Sequence, residues 1–181
     1  MKTFKQFIAE DSHGGKKLPW DKNPQIGWHE DGDHTIMYHG THQKNLAGIL
    51  KDGIHAPKDG DTAGMISMTH DPHTAHGYAS MTGGETNWRR ATSGKTVAKS
   101  VPHNERVVLV AKIPHSWKKD NLVPGMKGNI DAVRDNLTNK QKYTDHVAKG
   151  GRDHEYYATT ELRFKDKIPP HFIVGYMKKV D

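Results

Sequence analysis

His39, Gly40 and Thr41 follow a short apolar run, Ile36-Met37-Tyr38, and precede an amphipathic segment that stops at Gly53. A histidine and a hydroxyl at the end of a strand can bind a ligand, and Thr41 can cap the helix that follows. In isolation the pattern describes a structural histidine equally well. Other spacings that invite chemistry fail. Ser93-Gly94-Lys95-Thr96 resembles the end of a phosphate-binding loop, but position 89, where that loop needs glycine, is Arg. The chain has 14 histidines, and His70, His73 and His76 are spaced by three. Yet His70 precedes the predicted helix cap, and no carboxylate follows His76 at a matching position, so no metal site is expected. The run WHEDGDH lacks the spacing of a zinc-protease helix, and no GxSxG elbow singles out a serine nucleophile.

The elements that must hold these residues can be read from hydrophobic spacing. HTIMYHGT, 34–41, predicts a strand, followed by a helix with Leu46, Ile49 and Leu50 on its apolar face and Gly53 as its stop. MISMT, 65–69, predicts a second strand. Asp71-Pro72 then reads as an N-cap with proline at the first helical position, opening a helix with Ala75, Tyr78 and Ala79 on one side. RVVLVAKI, 106–113, has four consecutive apolar residues and predicts a strand buried on both faces. Residues 82–104 read as loop, and 114–153 as a long basic connection with a helix near 129–138. EYYATTELRF and HFIVGYM close the chain as strands. The order strand, helix, strand, helix, then mostly strands is an α+β pattern.

Totals set the limits. The 181 residues fit one domain with tails, and 33% hydrophobic content allows only a modest core. No apolar stretch is long enough to span a bilayer, so no membrane partner is expected. There are no cysteines, which excludes disulfides and thiolate chemistry. The net charge is +6, and much of it is local: residues 112–152 hold nine Lys/Arg against four Asp. Such a segment is either a solvated surface or a site for a polyanion such as packaged DNA.

The first ten residues, MKTFKQFIAE, place Phe4, Phe7 and Ile8 at helical spacing. They closely resemble the capsid-targeting leader of internal head proteins in T-even-type phages. Ile8-Ala9-Glu10 matches the apolar-x-Glu site cut by the prohead protease. The resemblance implies a leader over 1–10 cleaved after Glu10, packaging in the virion head, and entry into the host cytoplasm with the genome. Residues 11–33 then read as an irregular linker and 34–181 as the folded domain.

Strand-HGT-helix-Gly, then ISMTHDPHTAHGYA, then a late TELRF strand before IPPHFIVG, occur in an order that resembles the ADP-ribosyltransferase superfamily. The branch is the one with a His-Tyr-Glu triad, as in diphtheria-type toxins and poly-ADP-ribose polymerases. The resemblance covers roughly 34–81 and 106–177. It implies a split β-sandwich with peripheral helices and an NAD-dependent mono-ADP-ribosyltransferase, a glycosyl transfer that uses NAD as co-substrate and no metal. His39 matches the histidine that bonds ribose and positions NAD. Gly40 matches the residue whose backbone grips the nicotinamide amide, with Thr41 supporting the turn. Ser67 lies in the wall of the same cleft, Tyr78 matches the aromatic that stacks on nicotinamide, and Glu161 matches the catalytic glutamate. Glu155 competes for that role; Glu161 is preferred because an apolar-alternating strand follows it. The strand before the tyrosine helix offers Met65, Ile66 and Met68 where many members carry a second aromatic.

The acceptor would be a host protein or nucleic acid, selected in related folds by the loop before the glutamate, here 149–160. Two other readings stand beside this one. The first is a non-catalytic basic head protein that binds DNA or inhibits a host factor. The second is a relative that removes a 2′-phosphate from RNA, against which the tyrosine and late-glutamate matches argue.

Overall fold

A computed structural model describes residues 16–20, 30–58, 63–80, 101–123, 135, 140–150, 161–165 and 167–179. In chain order these form β1 (Lys17–Leu18), β2 (Glu30–Asp31), β3 (His34–His42), α1 (Leu46–Asp52), β4 (Ile54–His55), β5 (Met65–Met68) and α2 (Pro72–Ala79). They continue as β6 (Arg106–Pro114), α3 (His115–Asn121), α4 (Lys140–Ala148), β7 (Leu162–Lys165), β8 (Lys167–Ile168) and β9 (Ile173–Met177). The fold is α+β. A five-stranded sheet runs β1-β9-β6-β3-β2, and two ribbons, β4-β8 and β5-β7, lie beside it.

The sheet is covered on both sides, which explains the unbroken apolar run of β6: Val107 through Ala111 are fully buried. One face carries Met37, Val107, Leu109, Ala111 and Ile113 into a core shared with Ile66 and Met68 of β5 and Leu162 and Phe164 of β7. The other face carries Ile36, Tyr38, Val108 and Val110 against Leu18 and Ala75. Alternation along β3 therefore presents its odd residues to the ribbon side and its even residues to α2.

The β5-β7 ribbon joins the sheet at one backbone bridge. Tyr38 N–H donates to the Thr69 carbonyl at 2.8 Å, and Thr69 N–H donates to the Tyr38 carbonyl at 2.9 Å. Two residues later the chain enters α2. Asp71 caps it as expected, accepting from the backbone N–H of His73 at 3.0 Å and of Thr74 at 2.8 Å. At the end of α1, Gly53 has φ +89°, a backbone that favours glycine, and a Cβ there would lie 2.3 Å from the Ile168 carbonyl oxygen.

Several expectations change. Part of the segment read as an irregular linker is sheet: β1 pairs in parallel with β9, β2 pairs with β3, and Leu18 is a core residue. These two-residue strands carry no alternation to read. Thr41 does not cap the next helix; its Oγ1 accepts from Asn45 Nδ2 at 3.2 Å. His42 caps the short 3-10 turn between β3 and α1 instead, its Nδ1 accepting the Lys44 N–H at 3.0 Å. The final strand starts at Ile173, because Pro169 and Pro170 set a 3-10 turn through Phe172. The basic connection contains α3 and α4. The leader 1–10, the SGKT run, Glu155 and, apart from Asp135, the helix expected at 129–138 lie outside the described residues.

Candidate functional site

The residues singled out in the sequence gather where β3, the β5-β7 ribbon and α2 meet. Glu161 sits immediately before β7, and Tyr78 lies on the last turn of α2. Tyr78 donates its hydroxyl to Glu161 Oε2 at 3.5 Å, across 83 positions of sequence. The other carboxylate oxygen, Oε1, accepts from Arg163 Nε at 3.0 Å. The Glu161 side chain is 16% exposed and that of Arg163 34%.

His39 reaches the same ribbon from β3. Its Nδ1 lies 2.9 Å from the Ser67 carbonyl oxygen. A carbonyl can only accept, so Nδ1 carries the proton and Nε2 is left as an acceptor. Burial pushes the His39 pKa below its usual 6.5, against the opposing pull of the Ser67 carbonyl. The ring is thus neutral near pH 7. Ser67 stands opposite Arg163 in the β5-β7 register. His39, Ser67, Arg163, Glu161 and Tyr78 therefore form one continuous chain of contacts and cross-strand pairing. Burial pushes the Tyr78 phenol above its usual 10. The Glu161 carboxylate adds to that rise through its charge and its hydrogen bond, and Arg163 opposes it. Tyr78 stays protonated at neutral pH and is available as a donor.

Gly40 has a clear structural purpose. A Cβ there would lie 1.7 Å from the Ala75 carbonyl oxygen and 2.8 Å from the Ala79 backbone nitrogen. The close approach that glycine permits in this structure is that of α2 against β3. Thr41 is buried beside it and supports the turn through Asn45. Ser67 contributes to the site through its backbone carbonyl. On β5, Met65 and Ser67 alternate with the buried Ile66 and Met68.

Arg163 is the residue that motif reading missed. Glu161-x-Arg163 is a strand-spaced pair, and period-two alternation places both side chains on one face of the ribbon. Among the described residues no cluster of His, Asp and Glu has the arrangement to hold a metal ion. No described helix is long and apolar enough to cross a membrane.

The histidine-rich start of α2 builds something else. Trp20 packs edge-on against His73 and His76, with ring centroids 5.2 and 5.5 Å apart, and His76 lies 5.5 Å from His103. His76 is 5% exposed, and its Nε2 is buried with no hydrogen-bond partner among the described residues. Burial, together with the positive charges of Arg106, His103, Lys179 and His73, lowers its pKa to about 4.

The basic segment is less free than its composition suggests. Lys112 pairs with Asp31 at 2.5 Å, Lys118 is buried and donates to Thr35 Oγ1 at 2.6 Å, and Lys142 pairs with Asp135. No protein-family model matches the chain, and no curated protein matches it in sequence.

Proposed function

We propose that the chain is an NAD-dependent mono-ADP-ribosyltransferase of the His-Tyr-Glu type, with an ADP-ribosyltransferase-like arrangement of its sheets. Given the resemblance of its first ten residues, it acts as a phage effector packaged in the head and delivered to the host. The observation that carries this reading is the contact of Tyr78 with Glu161, together with a neutral His39 anchored on the ribbon that Glu161 adjoins.

Breaking the bond between nicotinamide and ribose C1 sends the electron pair to the nicotinamide ring and leaves positive charge on the ribose. A carboxylate beside C1 stabilises that charge and orients or deprotonates the acceptor that then bonds to C1. Glu161 is the carboxylate available for this. His39 Nε2, an acceptor, suits a ribose hydroxyl, which donates. The Tyr78 ring offers a face for the flat, cationic nicotinamide, a favourable cation–π arrangement. Fixing the three groups on a sheet strand, a ribbon and a helix supplies orientation, which accounts for much of the rate in such reactions.

The engagement of Lys112, Lys118 and Lys142 within the fold weakens the alternative of a DNA-binding head protein without activity. The test is transfer of label from adenine-labelled NAD to a host lysate, followed by mass spectrometry of the modified protein and nucleic acid. Label on a host macromolecule that disappears with Glu161→Ala supports the reading. No NAD turnover by the wild-type chain overturns it.

A further inference from the structure

We propose that Arg163 is a positioning residue for Glu161: its guanidinium fixes the carboxylate in the orientation that faces Tyr78, and so sets the rate of the chemical step. The proposal rests on the NAD-dependent reading above and names a residue that this reading does not require.

A glutamate side chain has several rotatable bonds, and an unheld one samples many rotamers. Glu161 is held at both oxygens by different elements. Arg163 Nε takes Oε1 at 3.0 Å, and the Tyr78 hydroxyl takes Oε2 at 3.5 Å. The two donors differ in strength. The arginine bond is the shorter and joins two opposite charges, whereas the tyrosine bond runs from an uncharged hydroxyl to the carboxylate at the long limit of a hydrogen bond. The arginine therefore does most of the holding.

Its own base is rigid. Arg163 pairs with Ser67 across the ribbon, its carbonyl accepts from Val123 N–H at 3.0 Å, and its neighbours Leu162 and Phe164 are fully buried. Ser67 in turn holds His39. One strand thus ties the carboxylate and, through its partner strand, the imidazole to a common frame.

A positioning role separates kcat from KM. Arg163→Gln is expected to lower kcat for NAD turnover about 10- to 100-fold, the cost of a misplacement near 1 Å. KM for NAD should stay within about twofold, and Arg163→Lys, which keeps the charge, should recover part of the loss. A kcat within about twofold of wild type overturns the proposal. So does a loss carried by KM, which would mean that Arg163 binds the substrate itself. A readout independent of turnover comes from the Arg163 Nε–H proton in a nitrogen-edited NMR spectrum, assigned by its absence in Arg163→Lys. It should be protected from exchange in wild type and lose that protection in Glu161→Ala. An Nε–H signal unchanged by Glu161→Ala overturns the positioning contact, whatever the outcome with NAD. If the wild type turns over no NAD, the enzymatic reading fails and the kinetic role of Arg163 fails with it, while the NMR signal still decides the contact.

Discussion

The two faces of the five-stranded sheet each meet a partly or fully buried histidine, and the two are treated differently. His39, on the ribbon side, donates through Nδ1 to the Ser67 carbonyl of the ribbon whose other strand Glu161 precedes, and keeps Nε2 as an acceptor. His76, on the α2 side, is walled by Trp20 and His103, and its Nε2 meets no partner among the described residues. Burial lowers both pKa values. Depression of a pKa therefore does not by itself single out the histidine proposed for the site. What distinguishes His39 is a hydrogen bond that fixes one nitrogen and presents the other. His76 is packed between rings, and a buried polar atom without a partner among the described residues costs stability.

That contrast can be broken from either side. Glu161→Ala should have the largest effect on activity, reducing NAD turnover about 10²- to 10³-fold, as for loss of an electrostatic group at a reacting centre. Its melting temperature should change little, because Arg163 remains partly solvated. An unchanged turnover would place the chemistry elsewhere. Gly40→Ala comes next and acts on the fold, since its Cβ would collide with the Ala75 carbonyl. A loss of about 3 kcal/mol is expected, read by denaturant unfolding. A wild-type midpoint would show that α2 can retreat freely.

The third test uses pH. His76 is neutral in the folded chain down to about pH 4, while the unfolded chain takes up a proton near 6.5. The unfolded state binds more protons between these values. The contribution is thus fully present above pH 6.5 and is lost as pH falls toward 4, about 3 kcal/mol at most. His39 acts in the same direction. His76→Phe should flatten the fall in melting temperature over that window without affecting NAD turnover at pH 7. An equally steep fall would clear His76 of the effect. The smallest change, about tenfold in turnover, is expected for His39→Asn. Its amide can still donate to Ser67 but lacks the Nε2 acceptor. Activity at the wild-type level would remove that acceptor from the mechanism.

Much of this was legible from local chemistry. Strand β3, the Asp71 cap, the Gly53 stop and the doubly buried β6 all follow from spacing and turn residues, and Glu161 and Tyr78 do fall within contact. Elements that owe their existence to distant contacts were not legible. Helix α3, His-Ser-Trp-Lys-Lys-Asp-Asn, has no apolar repeat; Trp117 packs it against Phe164 and Phe172, and the buried Lys118 ties it to Thr35. Strands β1 and β2 are two residues each and exist because β9 and β3 offer them an edge. Arg163 was overlooked because an exposed-looking charge beside a carboxylate resembles an ordinary solvated pair until its Tyr78 neighbour is seen. The purpose of Gly40 depends on a helix 35 positions away.

Position 40 has a consequence for how the site is gauged. Any side chain there acts as a shim between strand and helix. Moving the Ala75 oxygen from 1.7 Å to the 3.0 Å that real contacts require means a lift of about 1.3 Å. Tyr78 rides on that same helix one turn further along, so its hydroxyl would rise with it and part from Glu161. Substitutions at 40 that survive folding should thus form a class of intact but silent proteins, with the clearance between phenol and carboxylate set wrong from below.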